Sequence, residues 1–295
     1  MSDTIAEGKA GAGAAALGTG ERSVARLVAA MPTSDGAGVS LSRAIGGQRL
    51  SELDPFLLLD EIRSDDPKAY LAGFPEHPHR GFETVTYILA GRMRHQDNKG
   101  HGGVIETGGV QWMTAGRGIL HSEMPEQENG LMWGFQLWVN LPAAEKMRIP
   151  RYQEFKASEI PEREPSPGVR LRLIAGEIGG VAGPVKGIAV EPIMLDVKLA
   201  PGARWTAPAP ADHTVFAYVY EGSAEIAGQD VPRGNLAVLG EGDQVALGGA
   251  GETGAGLLLI AGRPIGEPVV RYGPFVMNKR EEILQAFQDF ENGLF

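Results

Sequence analysis

The sequence predicts an all-β protein built from two similar halves, and three observations carry that prediction. The 295 residues include 42 glycines and 20 prolines but only 7% aromatics, so turn formers abound while wide helix-packing faces are scarce. Short apolar runs recur about every 8–12 residues between glycine turns, the rhythm of an antiparallel sandwich or barrel. The same style then resumes beyond residue 168, as a second copy would, diverged in sequence.

Taken in order, residues 1–22 form a Gly/Ala-rich stretch with few large side chains and read as a disordered tail. Strands begin at Ser23, with Val24, Leu27 and Val28 as the first apolar positions. The run DPFLLLDEI (54–62) reads as a buried strand opening onto an acidic turn. Strands follow at 84–89, 93–96, 104–106 and 110–114, separated by Ala90-Gly91, the loop DNKGHGG (97–103) and Gly108-Gly109. A Gly-rich turn at 115–118 precedes the apolar run 132–141, and a helical stretch around 143–147 is stopped by Pro150. IPEREPSPG (160–168) reads as a linker between a domain at 23–159 and one at 169–272. The second series predicts strands at 171–175, 193–199, 214–220, 224–226, 236–239, 244–247 and 257–261. A closing segment, 273–295, ends in a helix over 279–290. Asn278 stands at its N-cap with Glu281 three residues on, and Ile283, Leu284, Phe287 and Phe290 form its apolar stripe.

Composition excludes several roles. A net charge of −10 with no Lys/Arg cluster opposes nucleic-acid binding, which needs basic patches against phosphate. No cysteine is present, so there are no disulfides, zinc ribbons or thiolate-held clusters. The Ala/Gly tract 10–20 is too weakly apolar for a signal-peptide core, and no run nears the ~20 apolar residues of a membrane span. A cytoplasmic protein acting on small molecules or proteins is the expectation.

Five of the six histidines fall between positions 77 and 121. His77 and His79 are two apart, as are His121 and Glu123, and on a β-strand that offset places both side chains on one face. Two such strands side by side would aim three imidazoles and one carboxylate at a common point, a ligand set for a redox or Lewis-acid metal. Spacing alone leaves Glu83 open as well, since 77, 79, 81 and 83 share a face if the strand stays regular.

These residues resemble the pirin family, bicupins with two cupin-type antiparallel β-barrels in one chain. The resemblance rests on DPFLLLDE (54–61), FPEHPHRGFETVTY (74–87), GRMRHQD (91–97), VQWMTAGRGILHSEMP (110–125), LWVNLP (137–142) and GPFVMN (273–278), and covers nearly everything from residue 24 onward. It implies an all-β bicupin with a short C-terminal helix, metal bound by His77, His79, His121 and Glu123 in the first barrel, and iron as the usual ion. Nickel, copper, manganese and zinc accept the same donors. The generic cupin carboxylate position falls on Glu83, which is read as a neighbouring or substrate-facing acid. The second half has one histidine, His213, without a partner two residues away, so it is expected to hold no metal.

What the resemblance implies about activity is a quercetin 2,3-dioxygenase-like reaction. A small aromatic flavonol substrate and O₂ meet at the metal, and Glu123 or Glu83 takes the substrate proton. The alternative is an iron-binding regulator that acts on a protein partner according to its redox state. Arg80 and Arg117, beside the metal motifs, are candidates for an anionic substrate group or a loop carboxylate. Phe82, Trp112, Met113 and Trp133 are candidates for cavity lining or core. His95, Asp97 and His101 form a further polar group, read as the end of a strand and its hairpin loop.

Overall fold

The computed structural model describes residues 19–295, so most of the expected tail, residues 1–18, lies outside the described residues. Among the described residues the chain is all-β with one α-helix, and its two halves are cupin-like. In the first, a seven-stranded antiparallel sheet runs Arg151–Phe155, Val110–Thr114, Phe82–Ala90, Met132–Asn140, Phe56–Ser64, Val39–Ile45, Met31–Asp35. A four-stranded sheet, Phe74–His79, Ile119–Pro125, Met93–Asp97, Gly102–Ile105, lies over it.

The expected closed barrels are not formed: among the described residues no sheet closes into a continuous hydrogen-bonded ring. The chain changes sheet at glycines instead of bending one strand through both. The HPHRGFET motif is broken at Gly81, whose φ is +88°, and a Cβ there would sit 1.9 Å from the Val276 carbonyl. His77 and His79 therefore stay in the small sheet, while Phe82 onward joins the large one.

The large sheet has two unlike faces. Leu59, Val85, Trp112, Phe135 and Val139 join one core with Phe216, Tyr218, Leu258 and Ile260 from the second half, so this face is the domain interface. Two polar pairs cross it: Tyr218 donates to Glu61 Oε2 at 2.6 Å and Tyr87 to Asp196 Oδ2 at 2.7 Å, while Tyr220 donates to Asp196 from within the second half. Arg172 Nη1 donates to the Tyr87 hydroxyl at 2.9 Å. The opposite face carries a row of polar residues in register across six strands, Arg43–Asp60–Gln136–Thr86–Gln111–Glu154.

The second half is a nine-stranded sheet folded around Leu195, Val197, Val219, Leu257 and their neighbours. Its long strands Thr214–Ile226 and Gln244–Gly262 bend through bulges near Glu221 and Ser223, and each pairs with different partners along its length. Val24–Ala29, early in the chain, adds to this sheet beside Asn235–Leu239. The Pro/Glu-rich stretch expected as a linker supplies its edge strand, Glu162–Ser166, where proline is tolerated.

The predicted helix is Arg280–Glu291, starting one residue later than expected. Glu282 Oε2 accepts from the Asn278 and Lys279 amides, both at 3.0 Å, so the reciprocal acid is Glu282 rather than Glu281. Ile283 and Ala286 are its buried residues, and Leu284 is exposed. Its approach returns the chain to the first half: Val276 N donates to Arg80 O at 3.0 Å. The buried Lys146 ammonium donates to Val276 O, Gly81 O and Asn140 Oδ1. Among the described residues no helix is long and apolar enough to cross a membrane.

Candidate metal centre

His77, on Phe74–His79, pairs across the ladder with His121, on Ile119–Pro125, and His79 reaches the same point from the end of its strand. One nitrogen from each ring lies within 4.8 Å of the other two. His77 Nδ1 is 2.8 Å from Pro75 O and His79 Nδ1 is 3.2 Å from Pro274 O. Each Nδ1 therefore carries the proton that donates to its carbonyl, and each Nε2 is left as a lone pair. Those two Nε2 atoms face one another at 3.0 Å. Burial lowers the pKa of all three rings, furthest for His79 and His121, so the neutral ligand form is favoured.

Two facing lone pairs repel unless a positive charge lies between them. His121 Nε2 adds to this, being buried without a hydrogen-bond partner, a condition that costs about 1–3 kcal/mol if nothing binds there. The residues thus fit a divalent cation. Outer contacts orient the rings, as metal-binding histidines require. His121 Nδ1 lies 3.5 Å from His95 Nδ1; His95 in turn meets Gln111 Nε2 at 3.2 Å and Asp97 Oδ2 at 3.5 Å. Asp97 is held by His101 Nδ1 at 3.0 Å. The His95–Asp97–His101 group therefore braces His121, and among the described residues it forms no separate ligand cluster.

Glu123 is buried beside the triad but outside its 4.8 Å grouping. Thr86 donates to Glu123 Oε1 at 2.5 Å, and burial pushes this carboxyl up to about 7. Glu123, His77 and His79 line a cavity of about 540 Å³ with apolar walls that include Leu58, Phe74 and Trp138. That volume lies in the range that encloses a drug-sized ligand.

Glu83 is not brought to this point. The strand alternation that turns Thr86 toward Glu123 turns Glu83 the other way, where Thr114 Oγ1 donates to it at 2.6 Å and Trp112 Nε1 at 3.1 Å. Burial pushes its carboxyl up to about 7 from 4.5. With the folded value above the unfolded one, the folded chain keeps a proton that the unfolded chain loses, so this contribution is full below 4.5 and lost as pH rises through 7. Glu83→Gln keeps an acceptor for Trp112 and a donor for Thr114. Relative to the parent it should gain on the order of 3 kcal/mol in stability between about pH 5 and 8. Urea denaturation at several pH values checks this, and parallel pH profiles for the two proteins would refute it.

The other sequence candidates settle as follows. Trp112, Met113 and Trp133 are buried away from the cavity, with Trp133 Nε1 donating to Glu61 at 2.8 Å. Phe82 packs beneath the site against His79 and Trp138. Arg80 is tied to Asp289 at 2.7 Å and to Arg117 O, with its guanidinium over the Phe295 ring, so it serves the C-terminal segment. His213 bonds Asp212 and Glu191 O in the second half. Trp138, Gln136, Asp60 and Arg271 line the cavity and were not singled out from the sequence. The first three could have been found by counting in twos along 132–140 and 56–64; Arg271, from the far end of the chain, carries no local signal.

The pirin family model matches residues 38–139, and the model for the pirin C-terminal cupin domain matches residues 194–295. This chain belongs to the pirin family. Among its relatives, a pirin-like protein of Caulobacter vibrioides is 51% identical over 93% of this chain and 99% of its own length. Human pirin is 47% identical over 88% of this chain and 89% of its own. The crystal structure of a quercetin 2,3-dioxygenase from Acinetobacter baumannii superposes with a TM-score of 0.86 at 35% identity, covering 94% of this chain and 99% of that one. As a pirin, the chain places its histidine cluster in the half matched by the first family model.

Proposed function

We propose that this pirin is a mononuclear metal-dependent dioxygenase of the quercetin 2,3-dioxygenase type, with Fe(II) as its metal. The observation that carries the reading is a buried cluster of three imidazoles, one with an orphaned nitrogen, two of which, His77 and His79, stand in the wall of a cavity large enough for a flavonol. The likeness to the Acinetobacter baumannii quercetin 2,3-dioxygenase supports the substrate class.

In this reading His77, His79 and His121 hold the ion and Glu123 supplies the fourth protein donor. Iron bound there would act as a Lewis acid toward a substrate oxygen and engage O₂; nickel, copper, manganese or zinc would fit the same donors. The chain's own work is positional. Leu58, Phe74 and Trp138 exclude water and seat the aromatic substrate. Glu123 lines the cavity with His77 and His79, which places its carboxylate to take the flavonol hydroxyl proton. Thr86 fixes Glu123, and Gln136, 3.0 Å from the Thr86 hydroxyl, fixes Thr86.

The test is elemental analysis of purified protein, then anaerobic Fe(II) loading and oxygen uptake with quercetin. Iron-dependent uptake with carbon monoxide release is the expected result. Stoichiometric metal with no uptake on quercetin or related flavonols would overturn the dioxygenase reading in favour of an iron-binding regulator with a protein partner.

A further inference from the structure

The cavity holds a feature that a neutral flavonol does not use. Among the described residues, Arg271 is the one guanidinium or ammonium group in the lining. It forms no ion pair, and its side chain makes a single hydrogen bond, Nη1 to Leu57 O at 3.4 Å. Its guanidinium carbon sits 4.6 Å from the centroid of Trp138, and the other neighbours of that indole include His79, at 5.1 Å between ring centroids. A full positive charge thus stands one indole away from a metal-binding ring.

The neighbouring charges do not satisfy it. Asp60 Oδ1 and Oδ2 accept from Arg43 Nε and Nη2 at 2.8 and 2.7 Å, and Asp35 Oδ2 accepts from the same Nη2 at 2.7 Å. Both acids are taken by Arg43. Glu76, at the rim, makes no ion pair with Arg271 either. Arg271 is exposed at the cavity mouth; desolvation and the charge of Arg43 lower its pKa, while Asp35 and Asp60 act to raise it. A guanidinium fork resting on an aromatic ring is suited to pairing with the carboxylate of a flat aromatic ligand.

Deepening the dioxygenase reading, on which this rests, we propose that the substrate of this pirin is an anionic aromatic compound: a flat, metal-binding enol or phenol with a carboxylate, or a similarly planar oxyanion, paired to Arg271. Arg271 is the specificity-determining residue. It selects among aromatic compounds that the triad and apolar walls would otherwise accept alike.

The test uses Ni(II)-loaded protein, without Fe(II), and calorimetric titration with a matched pair, 3-hydroxyflavone and its 4′-carboxylate. The parent protein should bind the carboxylate about tenfold more tightly than the neutral compound, the scale of one charge-assisted pair. In Arg271→Gln that preference should vanish, the carboxylate binding no more tightly than 3-hydroxyflavone, while the nickel stoichiometry stays as it was. Arg271→Lys should keep part of it, having the charge without the fork. Equal binding of the two compounds by the parent protein, or a preference that survives in Arg271→Gln, would overturn the role of Arg271 and leave the dioxygenase reading standing. Binding of neither compound would overturn both.

Discussion

His121→Ala should purify without stoichiometric metal and show no oxygen uptake. The reason lies in the unequal positions of the three rings. His77 and His79 each keep a backbone carbonyl partner, whereas His121 Nε2 is buried with nothing to bond. Its ring also joins the two sheets' contacts, through His95 and Gln111. Deleting it leaves two facing nitrogens and a carboxylate, too few donors for a four-ligand site. The fall in metal affinity should exceed the roughly 10–100-fold that loss of an outer contact costs. Competition with a chelator measures it directly. A second readout separates ligand loss from misfolding: excess metal should raise the melting temperature of the parent by mass action and leave that of the variant unmoved. A variant that holds metal as tightly as the parent would remove His121 from the site.

Asp196→Ala should destabilise the protein strongly without touching the metal donors. Asp196 is buried at the domain interface and accepts from Tyr87 and Tyr220, both fully buried, while Arg172 backs Tyr87. Alanine leaves two phenols with no acceptor in a site closed to water. At about 1–3 kcal/mol for each unsatisfied group, the loss should be on the order of 4 kcal/mol. Asp196→Asn keeps one carbonyl and should lose less than half as much. Urea midpoints with unchanged slope would report it, and a double-mutant cycle with Tyr220→Phe would isolate the pair. A loss below about 1 kcal/mol would mean that water or a neighbouring acceptor replaces the carboxylate.

The sequence made the histidine cluster visible because strand period and residue spacing coincide: His77 and His79 are two apart, and His121 is paired by the same offset with Glu123, which the structure leaves outside the cluster. The all-β class and the C-terminal helix were legible for the same kind of reason, from glycine punctuation and an apolar stripe. What was not legible depends on where strands end. The alternation that seemed to carry Glu83 toward the histidines stops at Gly81, and nothing in HPHRGFET says which sheet each half joins. Barrel closure failed for that same reason. Counting in twos groups Trp138 with Gln136, but only the register with Phe82–Ala90 says that this face is the one turned to the histidines. Arg271 lies almost two hundred residues from the motif that it faces across the cavity.

That separation has a temporal side. His79 takes its orientation from the carbonyl of Pro274, and the turn after it is packed under Val276 and the Lys146 ammonium. A nascent chain emerging from the ribosome exposes all three histidines long before residues 271–277 exist. Folding of the first half can begin then, since domains condense as they are made, but the ring of His79 would still turn freely. High-affinity metallation would therefore follow synthesis of the second half, sparing a half-made chain from trapping whichever ion it met first.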